Sequence, residues 1–122
     1  MKDDSNNRAR YSGQVRIRNL RGWNGREADK PEPVEHRCVI RELPNGRHRV
    51  RIQGVGVGHV DMSGSKFNDQ PFSTTDANGY PEIVRANGYT EGISDHLQGR
   101  FNVSSDDGNV IAEGEFDIRR RD

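Results

Sequence analysis

The fold is indicated most clearly by residues 97–118 near the end of the chain, which read LQGRFNVSSDDGNVIAEGEFDI. Apolar and polar residues alternate on both sides of a central Asp-Gly dipeptide, which is typical of two-residue hairpin turns. Such a turn places Phe101 opposite Gly114 and Gly99 opposite Phe116. An aromatic ring then covers a glycine on the facing strand, an arrangement that stabilises strand pairs. We therefore predict an antiparallel hairpin with one apolar and one polar face.

A second hairpin is predicted around the tripeptide at 44–46, Pro-Asn-Gly, which suits a type I turn followed by a glycine in the left-handed region. In the predicted register, the numbers of facing residues sum to about 90, because this register separates apolar from charged residues. One face then carries His36, Cys38, Ile40, Val50 and Ile52. The other face carries Arg37, Val39, Arg41, Arg49, Arg51 and Gln53.

The rest of the chain gives weaker signals. Residues 1–10 are predicted to be a flexible polar tail, and 11–122 a single domain. We expect a first strand over about 11–20, a long loop over 21–33 and a strand over about 34–43. The apolar phase changes around Gly54, which predicts a bulge or bend in a strand that continues toward Lys66.

Farther on, residues 67–79 are predicted to be a loop. Two Asn-Gly dipeptides, at 78–79 and 87–88, are expected to form turns that bracket a short strand over about 80–86. Pro81 places that strand at a sheet edge or at a strand start.

The composition favours β structure throughout. Valine and isoleucine together number 17, against three leucines and five alanines, and β-branched residues suit a pleated sheet better than a helix. The sequence therefore predicts an all-β fold, a small antiparallel β-barrel or barrel-like sandwich of six to eight strands with meander-type hairpins. A barrel is preferred to an open sandwich because closure removes exposed strand edges.

Several classes of protein are excluded by what the sequence lacks. No apolar run approaches the roughly 18 residues of a membrane span, and no leader segment is visible. Cys38 is the single cysteine, so an internal disulfide framework and a cysteine-rich metal site are excluded. These features predict a soluble cytoplasmic protein that needs no cofactor.

Charge is zero in sum but uneven along the chain. Residues 8–51 carry a net charge of +7, and residues 52–118 carry −8. If the last strand closes a barrel beside the first, the carboxylates of the last strand lie near Arg16 and Arg18 and compensate them. Pairing of the basic face of one copy with the acidic face of another, as a homo-oligomer, is the alternative. We do not expect nucleic acid as a partner, because the net charge is zero and few aromatics accompany the arginines.

Three polar residues are candidates for acid–base chemistry. His59, Asp61 and His96 carry groups of the kind that serve as general acids or bases in catalysis. His36 and Cys38 are two apart on one strand face, a spacing that can contribute two metal ligands, but no third ligand is indicated. No metal site is therefore predicted.

The sequence predicts a non-catalytic binding module, in which a small β-barrel binds a small ligand or a protein partner. The alternative is an enzyme of the cyclase or isomerase type that uses the three acid–base candidates inside the barrel. A third interpretation is a nucleic-acid binder resembling an oligonucleotide-binding barrel, acting through an arginine-rich face with Arg16, Arg41, Arg49 and Arg51. The predicted ligand- or partner-binding residues are Trp23, Arg41, Arg49, Tyr80 and Tyr89.

Overall fold

The computed structural model describes residues 9–45, 47–61, 65–91 and 95–121. Within these ranges the chain forms eight antiparallel strands and one short 3-10 helix, over Glu27–Asp29. The strands are β1 (Arg10–Asn19), β2 (Val34–Glu42), β3 (His48–Ile52), β4 (Gly56–Val60), β5 (Lys66–Thr75), β6 (Pro81–Glu91), β7 (His96–Ser104) and β8 (Val110–Arg120). Each strand pairs with the next in sequence, and β8 pairs with β1. The prediction of a small antiparallel meander barrel is confirmed, and the barrel is closed.

Both predicted hairpin registers are confirmed. In the β2–β3 pair, Cys38 faces Ile52 and Ile40 faces Val50. The β7–β8 pair has the predicted order of large and small residues. Its facing pairs are Leu97 with Ile118, Gly99 with Phe116, Phe101 with Gly114 and Val103 with Ala112. The arginine-bearing face of β2–β3 therefore points outward, as the alternation predicts.

The predicted turn of the last hairpin is wrong even though its register is right. A type I′ turn requires positive φ at both central residues, but Gly108 (φ 87°) has this conformation and Asp107 does not. Instead, Gly108 N donates to Ser105 O at 2.9 Å, and Ser105 N donates to Asn109 O at 2.9 Å. This wider loop shifts the register by one residue, and a bulge next to Val103 shifts it back. The conformation predicted for Gly46 in the first hairpin lies outside the described residues.

The predicted bend near Gly54 is a chain reversal. Val55 N donates to Ile52 O at 3.0 Å, and Gly54 lies between them with φ 80°. This tight turn separates β3 from β4, so that Val50 faces Gly58 across an antiparallel pair. The apolar residues therefore change from even to odd positions because one strand ends and the next begins. A bulge within a single strand would produce the same change in the sequence.

The prediction for residues 67–87 also needs correction. The segment expected to be a loop forms most of β5, and only the first of the two Asn-Gly dipeptides forms a turn, with Gly79 at φ 86°. Gly88 instead lies inside β6 and faces Phe101. A side chain at this position would overlap Phe67 on β5 and Phe101 on β7, so the glycine leaves room for both residues. At the chain start, Ala9 is already buried and β1 begins at Arg10, whereas residues 1–8 lie outside the described ranges.

The hydrophobic core occupies one end of the barrel. This filled end is the one where β1 begins and β8 finishes, and its core cluster consists of Ala9, Tyr11, Val15, Cys38, Ile40, Ile52 and Ile118. The opposite, open end carries the β1–β2 loop and the turns β3–β4, β5–β6 and β7–β8. Across the part of the chain that the structure describes, no helix is long and apolar enough to span a membrane.

Candidate functional site

The open half of the barrel interior encloses a cavity of about 390 Å³. Eight strands form an interior that is either filled by side chains or wide enough for one small molecule. Here the packed end borders the cavity directly, since Val15, Cys38 and Ile118 of the core cluster also line it. The walls of the cavity are mostly apolar. They include Val15, Ile17, Val50, Phe67, Phe72, Val84, Phe101, Val103, Ala112 and Phe116.

Aromatic rings lie along the cavity wall because glycines face them. A Cβ atom on Gly58 would overlap the Phe72 ring, and one on Gly99 would overlap the Phe116 ring. Phe101 lies in the same way over Gly114. Each ring therefore rests on the backbone of the adjacent strand, which keeps aromatic surface in the wall and leaves the axis of the open half empty.

An ion pair crosses the mouth of the cavity. Arg21, just after β1, pairs through Nη2 with Oε1 of Glu82, near the start of β6. These strands are not neighbours, since β7 and β8 separate them on one side and β2–β5 on the other. The Asn19 side chain accepts a hydrogen bond from the Arg21 backbone N–H at 3.0 Å, which fixes the local turn. With Glu32, these residues give the mouth a polar rim.

Polar side chains also line the cavity below this rim, among them His36, Cys38, Thr74 and Thr90. His36 Nδ1 lies 3.2 Å from Gln53 O. Thr74 donates its hydroxyl to Val55 O at 2.6 Å. Burial raises the pKa of the Cys38 thiol to about 12, so this thiol stays protonated at neutral pH and is a poor nucleophile.

The structure does not bring the three acid–base candidates together. His59 lies on the outer face of β4, between the inward-facing Gly58 and Val60. Asp61 follows β4, and its backbone N–H donates to Gln70 at 3.3 Å. His96 lies on β7, three strands away, with Nε2 2.6 Å from Asp117 Oδ1 on β8. That contact, more than any other, holds the pKa of Asp117 below its usual range. None of the three side chains lines the cavity.

The predicted binding residues fall in three places. Trp23 anchors the β1–β2 loop: its indole Nε1 donates to Arg26 O at 2.7 Å, and Lys30 Nζ lies 5.5 Å from the ring centroid. Tyr80 ends the β5–β6 turn at the open end and is 68% exposed. Tyr89 lies on the outer face of β6.

Arg41 and Arg49 face each other on the outside of β2 and β3. They lie far from the mouth, at the filled end.

The outside of the barrel has one side on which opposite charges are paired. Because β8 closes the barrel against β1, Arg16 faces Glu115 and Arg18 faces Glu113. The nitrogen–oxygen distances are 3.6 and 3.9 Å, and Lys30 Nζ adds a contact of 2.9 Å to Glu113. The predicted compensation of the first strand by the last is therefore confirmed.

No such compensation is present on the outside of the β2–β3 hairpin. In the described ranges, no carboxylate forms an ion pair with Arg37, Arg41, Arg49 or Arg51. Closure of the barrel therefore compensates Arg16 and Arg18 but not the outward arginines of β2 and β3. The reason is topological: the acidic strand β8 borders β1 and β7, while β2 and β3 have β1 and β4 as neighbours.

Among the described residues, no three His, Cys, Asp or Glu side chains are grouped closely enough to hold a metal ion. His36 and Cys38 do share the inner face of β2.

Sequence reasoning missed the residues of the mouth and part of the wall. Arg21 and Glu82 are 61 positions apart, and nothing local indicates that they meet. The shared inner face of Phe72 and Thr74 is predictable, because they flank Ser73 with the two-residue period of a strand. The nearby Asn, Asp and Pro residues instead indicate a loop.

No protein-family model matches this sequence, and no curated protein is significantly similar to it.

Proposed function

We propose that the protein binds one small, mainly apolar molecule in the open half of its barrel. The observation that carries the proposal is the cavity of about 390 Å³ with apolar walls. Small-molecule sites in proteins typically occupy about 300–1,000 Å³, with mostly hydrophobic walls and a few polar groups. This cavity has the size and the lining of such a site.

The distribution of polar groups suits binding of an apolar body with its polar end at the mouth. Apolar surface buried from water contributes roughly 25 cal/mol per Å², and the walls supply that surface. The ion pair between Arg21 and Glu82 lies at the rim, where a polar group of the ligand would remain near water.

The same geometry favours binding over catalysis. The acid–base candidates His59 and His96 lie outside the cavity. Inside it, His36 and Thr74 are engaged with backbone carbonyls, and Cys38 is held as the neutral thiol. A general acid or base must reach a bound substrate within hydrogen-bonding distance, and the described lining offers few groups that are free to do so.

A fluorescent apolar probe tests this proposal. An uncharged naphthylamine dye, whose emission rises in apolar surroundings, is titrated into the protein, and we expect saturable binding of one dye per chain. Ala86→Phe places a ring in the cavity, because Ala86 is part of the wall, and should weaken dye binding at least about tenfold.

The matched control is Ile83→Phe on the same strand. Ile83 points outward and is 48% exposed, so this variant should bind the dye as the unaltered protein does. Absence of saturable binding, or equal loss in the two variants with both folded by circular dichroism, would contradict the proposal. Native mass spectrometry after incubation with a lipid extract then identifies natural ligand classes.

A further inference from the structure

A second surface lies on the outside of the barrel and is separate from the cavity. It consists of Arg10 on β1, Arg37 and Arg41 on β2, and Arg49 and Arg51 on β3, and we call it the arginine face. All five residues are exposed and point away from the core. Arg10 faces Arg41, and Arg41 faces Arg49, which puts three guanidinium groups in one row across three strands.

This row is unfavourable for folding. Like charges directly opposite each other on neighbouring strands destabilise a sheet, and the described residues supply no ion pair to any member of the arginine face. The paired side of the same barrel shows the ordinary solution, with Arg16 opposite Glu115. An external anion would remove the repulsion that the arginine face retains.

We propose that the arginine face binds the phosphate backbone of double-stranded nucleic acid. The guanidinium group forms two parallel hydrogen bonds to a phosphate, and all five cationic groups here are arginine rather than lysine. Neighbouring strands lie about 4.8 Å apart, so the row spans roughly 10 Å. Its side chains rise from a convex surface and do not converge on one point, which suits a polymer of regularly spaced charges better than a single small anion.

Two features favour a duplex over the other polyanions. Single strands are bound largely by stacking of bases on aromatic rings, and the outward positions of β2 and β3 carry no aromatic residue. A second copy of the chain would need an acidic strand with free carboxylates, but Glu113 and Glu115 on β8 already contact cations of their own chain, and Asp117 is engaged with His96. The zero net charge of the chain hides this local excess of positive charge.

Salt dependence gives the proposal a quantitative signature. Each phosphate neutralised on B-DNA contributes about −0.9 to the slope of log K against log salt, so five contacts predict a slope of about −4 to −5. Contacts to phosphate carry no direct sequence information. We therefore expect similar affinities for duplexes of different sequence.

The experiment is a fluorescence anisotropy titration of a mixed-sequence 20-base-pair DNA duplex with the full chain in 50 mM salt. We expect micromolar or tighter binding. In the double variant Arg41→Gln/Arg49→Gln, affinity should fall at least about tenfold and the salt slope should lessen by about 1.8. The matched control Arg16→Gln/Arg18→Gln removes the same charge from the paired side and should change affinity less than about threefold.

Several results would overturn the proposal. These are duplex binding weaker than micromolar in 50 mM salt, equal losses in the two double variants, and tighter binding to an unstructured single strand or to anionic lipid vesicles than to the duplex. Light scattering provides the remaining test: if Arg41→Gln/Arg49→Gln converts a dimer into a monomer, the face binds a second copy. The melting temperature of each variant checks its folding, and dye binding in the cavity should be unchanged in both.

Discussion

The two halves of the barrel interior are built from the same strands but are filled differently. Toward the filled end, Tyr11 packs in one cluster with Ile40 and Ile118 and is nearly inaccessible to water, and these two isoleucines also line the cavity. Toward the open end, Val103 and Ala112 surround the cavity together with the ring of Phe101. Stability therefore comes mainly from one end of this small core, and space for a ligand from the other.

The glycines of the inner face connect the two halves. Where an aromatic ring meets a glycine on the next strand, as Phe116 does at Gly99, the ring is held against the wall and does not point toward the axis. The same pairing covers backbone that would otherwise be bare, which stabilises the sheet. The alternation of aromatic residues and glycines therefore produces both the aromatic wall and the space inside it.

The largest expected effect tests the assignment of stability to the filled half. Ile118→Ala removes a side chain that is 1% exposed, and should lower the free energy of unfolding by about 2–5 kcal/mol. Ile111→Ala makes the same change on the same strand, where Ile111 lines the cavity as Ile118 does but is only partly buried, and should cost less than half as much. Urea denaturation measures both losses. Equal losses would contradict the division into two halves.

A smaller loss is expected where the two halves meet. Gly99→Ala adds a methyl group that would overlap both the Tyr89 carbonyl and the Phe116 ring, and overpacking of this kind costs about 1–3 kcal/mol. Gly79→Ala is a useful contrast, because no atom lies near the added methyl group and only the positive φ of 86° opposes it. If Gly99→Ala costs as much in the Phe116→Ala background as in the original protein, the overlap with the ring is not a source of the loss.

Local patterns predicted the fold well where a hairpin had both alternation and a turn signal. The β2–β3 and β7–β8 registers follow from a turn signal together with the apolar faces, and the second is right despite a wrong turn type because a bulge absorbs the shift. Prediction failed at glycines, because a glycine can mark either a change of chain direction or a close contact with a neighbouring strand. Gly54 reverses the chain and Gly88 makes room for aromatic rings. From the sequence alone, the reversal at Gly54 looks like a bend and the close contact at Gly88 looks like a turn.

The site was less predictable than the fold. Its walls come from all eight strands, and its mouth depends on the contact between Arg21 and Glu82, which only closure of the barrel creates. The same closure decides which arginines are compensated. Arg16 is paired and Arg41 is not, because β8 borders β1. The net charge of a sequence segment does not predict which strands become neighbours.

The pH dependence of stability should originate partly in the filled half. Burial lowers the pKa of His48 from its ordinary value of 6.5, although the charges of Glu42 and Asp61 oppose this shift. The ring packs 6.4 Å from the Tyr11 ring, and among the described residues Nδ1 has no partner. The folded protein therefore binds a proton at His48 less readily than the unfolded chain does.

The sign of the effect follows from linkage. Stability from neutral His48 is fully present above pH 6.5 and is lost as the pH falls through the lowered pKa of the folded state. Urea denaturation between pH 8 and pH 5 should show stability falling toward acid, and His48→Leu should reduce the fall between pH 7 and pH 5. An unchanged profile in this variant would exclude His48 as a source of the acid sensitivity.

The smallest effect on stability, and the sharpest test of the comparison, is expected at the mouth. The Arg21 and Glu82 side chains are 36% and 21% exposed, and partly exposed ion pairs contribute roughly 0–1 kcal/mol. Glu82→Gln should therefore leave the free energy of unfolding within about 1 kcal/mol of the original. Because the pair crosses the mouth, the same variant should speed the entry and release of the dye, measured by stopped-flow fluorescence. Glu115→Gln breaks the pair with Arg16 on the outer wall and should leave those rates unchanged. A loss of several kcal/mol in Glu82→Gln would show that the ion pair contributes to the stability of the core. An equal change of dye exchange in both variants would show that the pair does not control access to the cavity. Either result would contradict the separation of a stabilising end from a binding end.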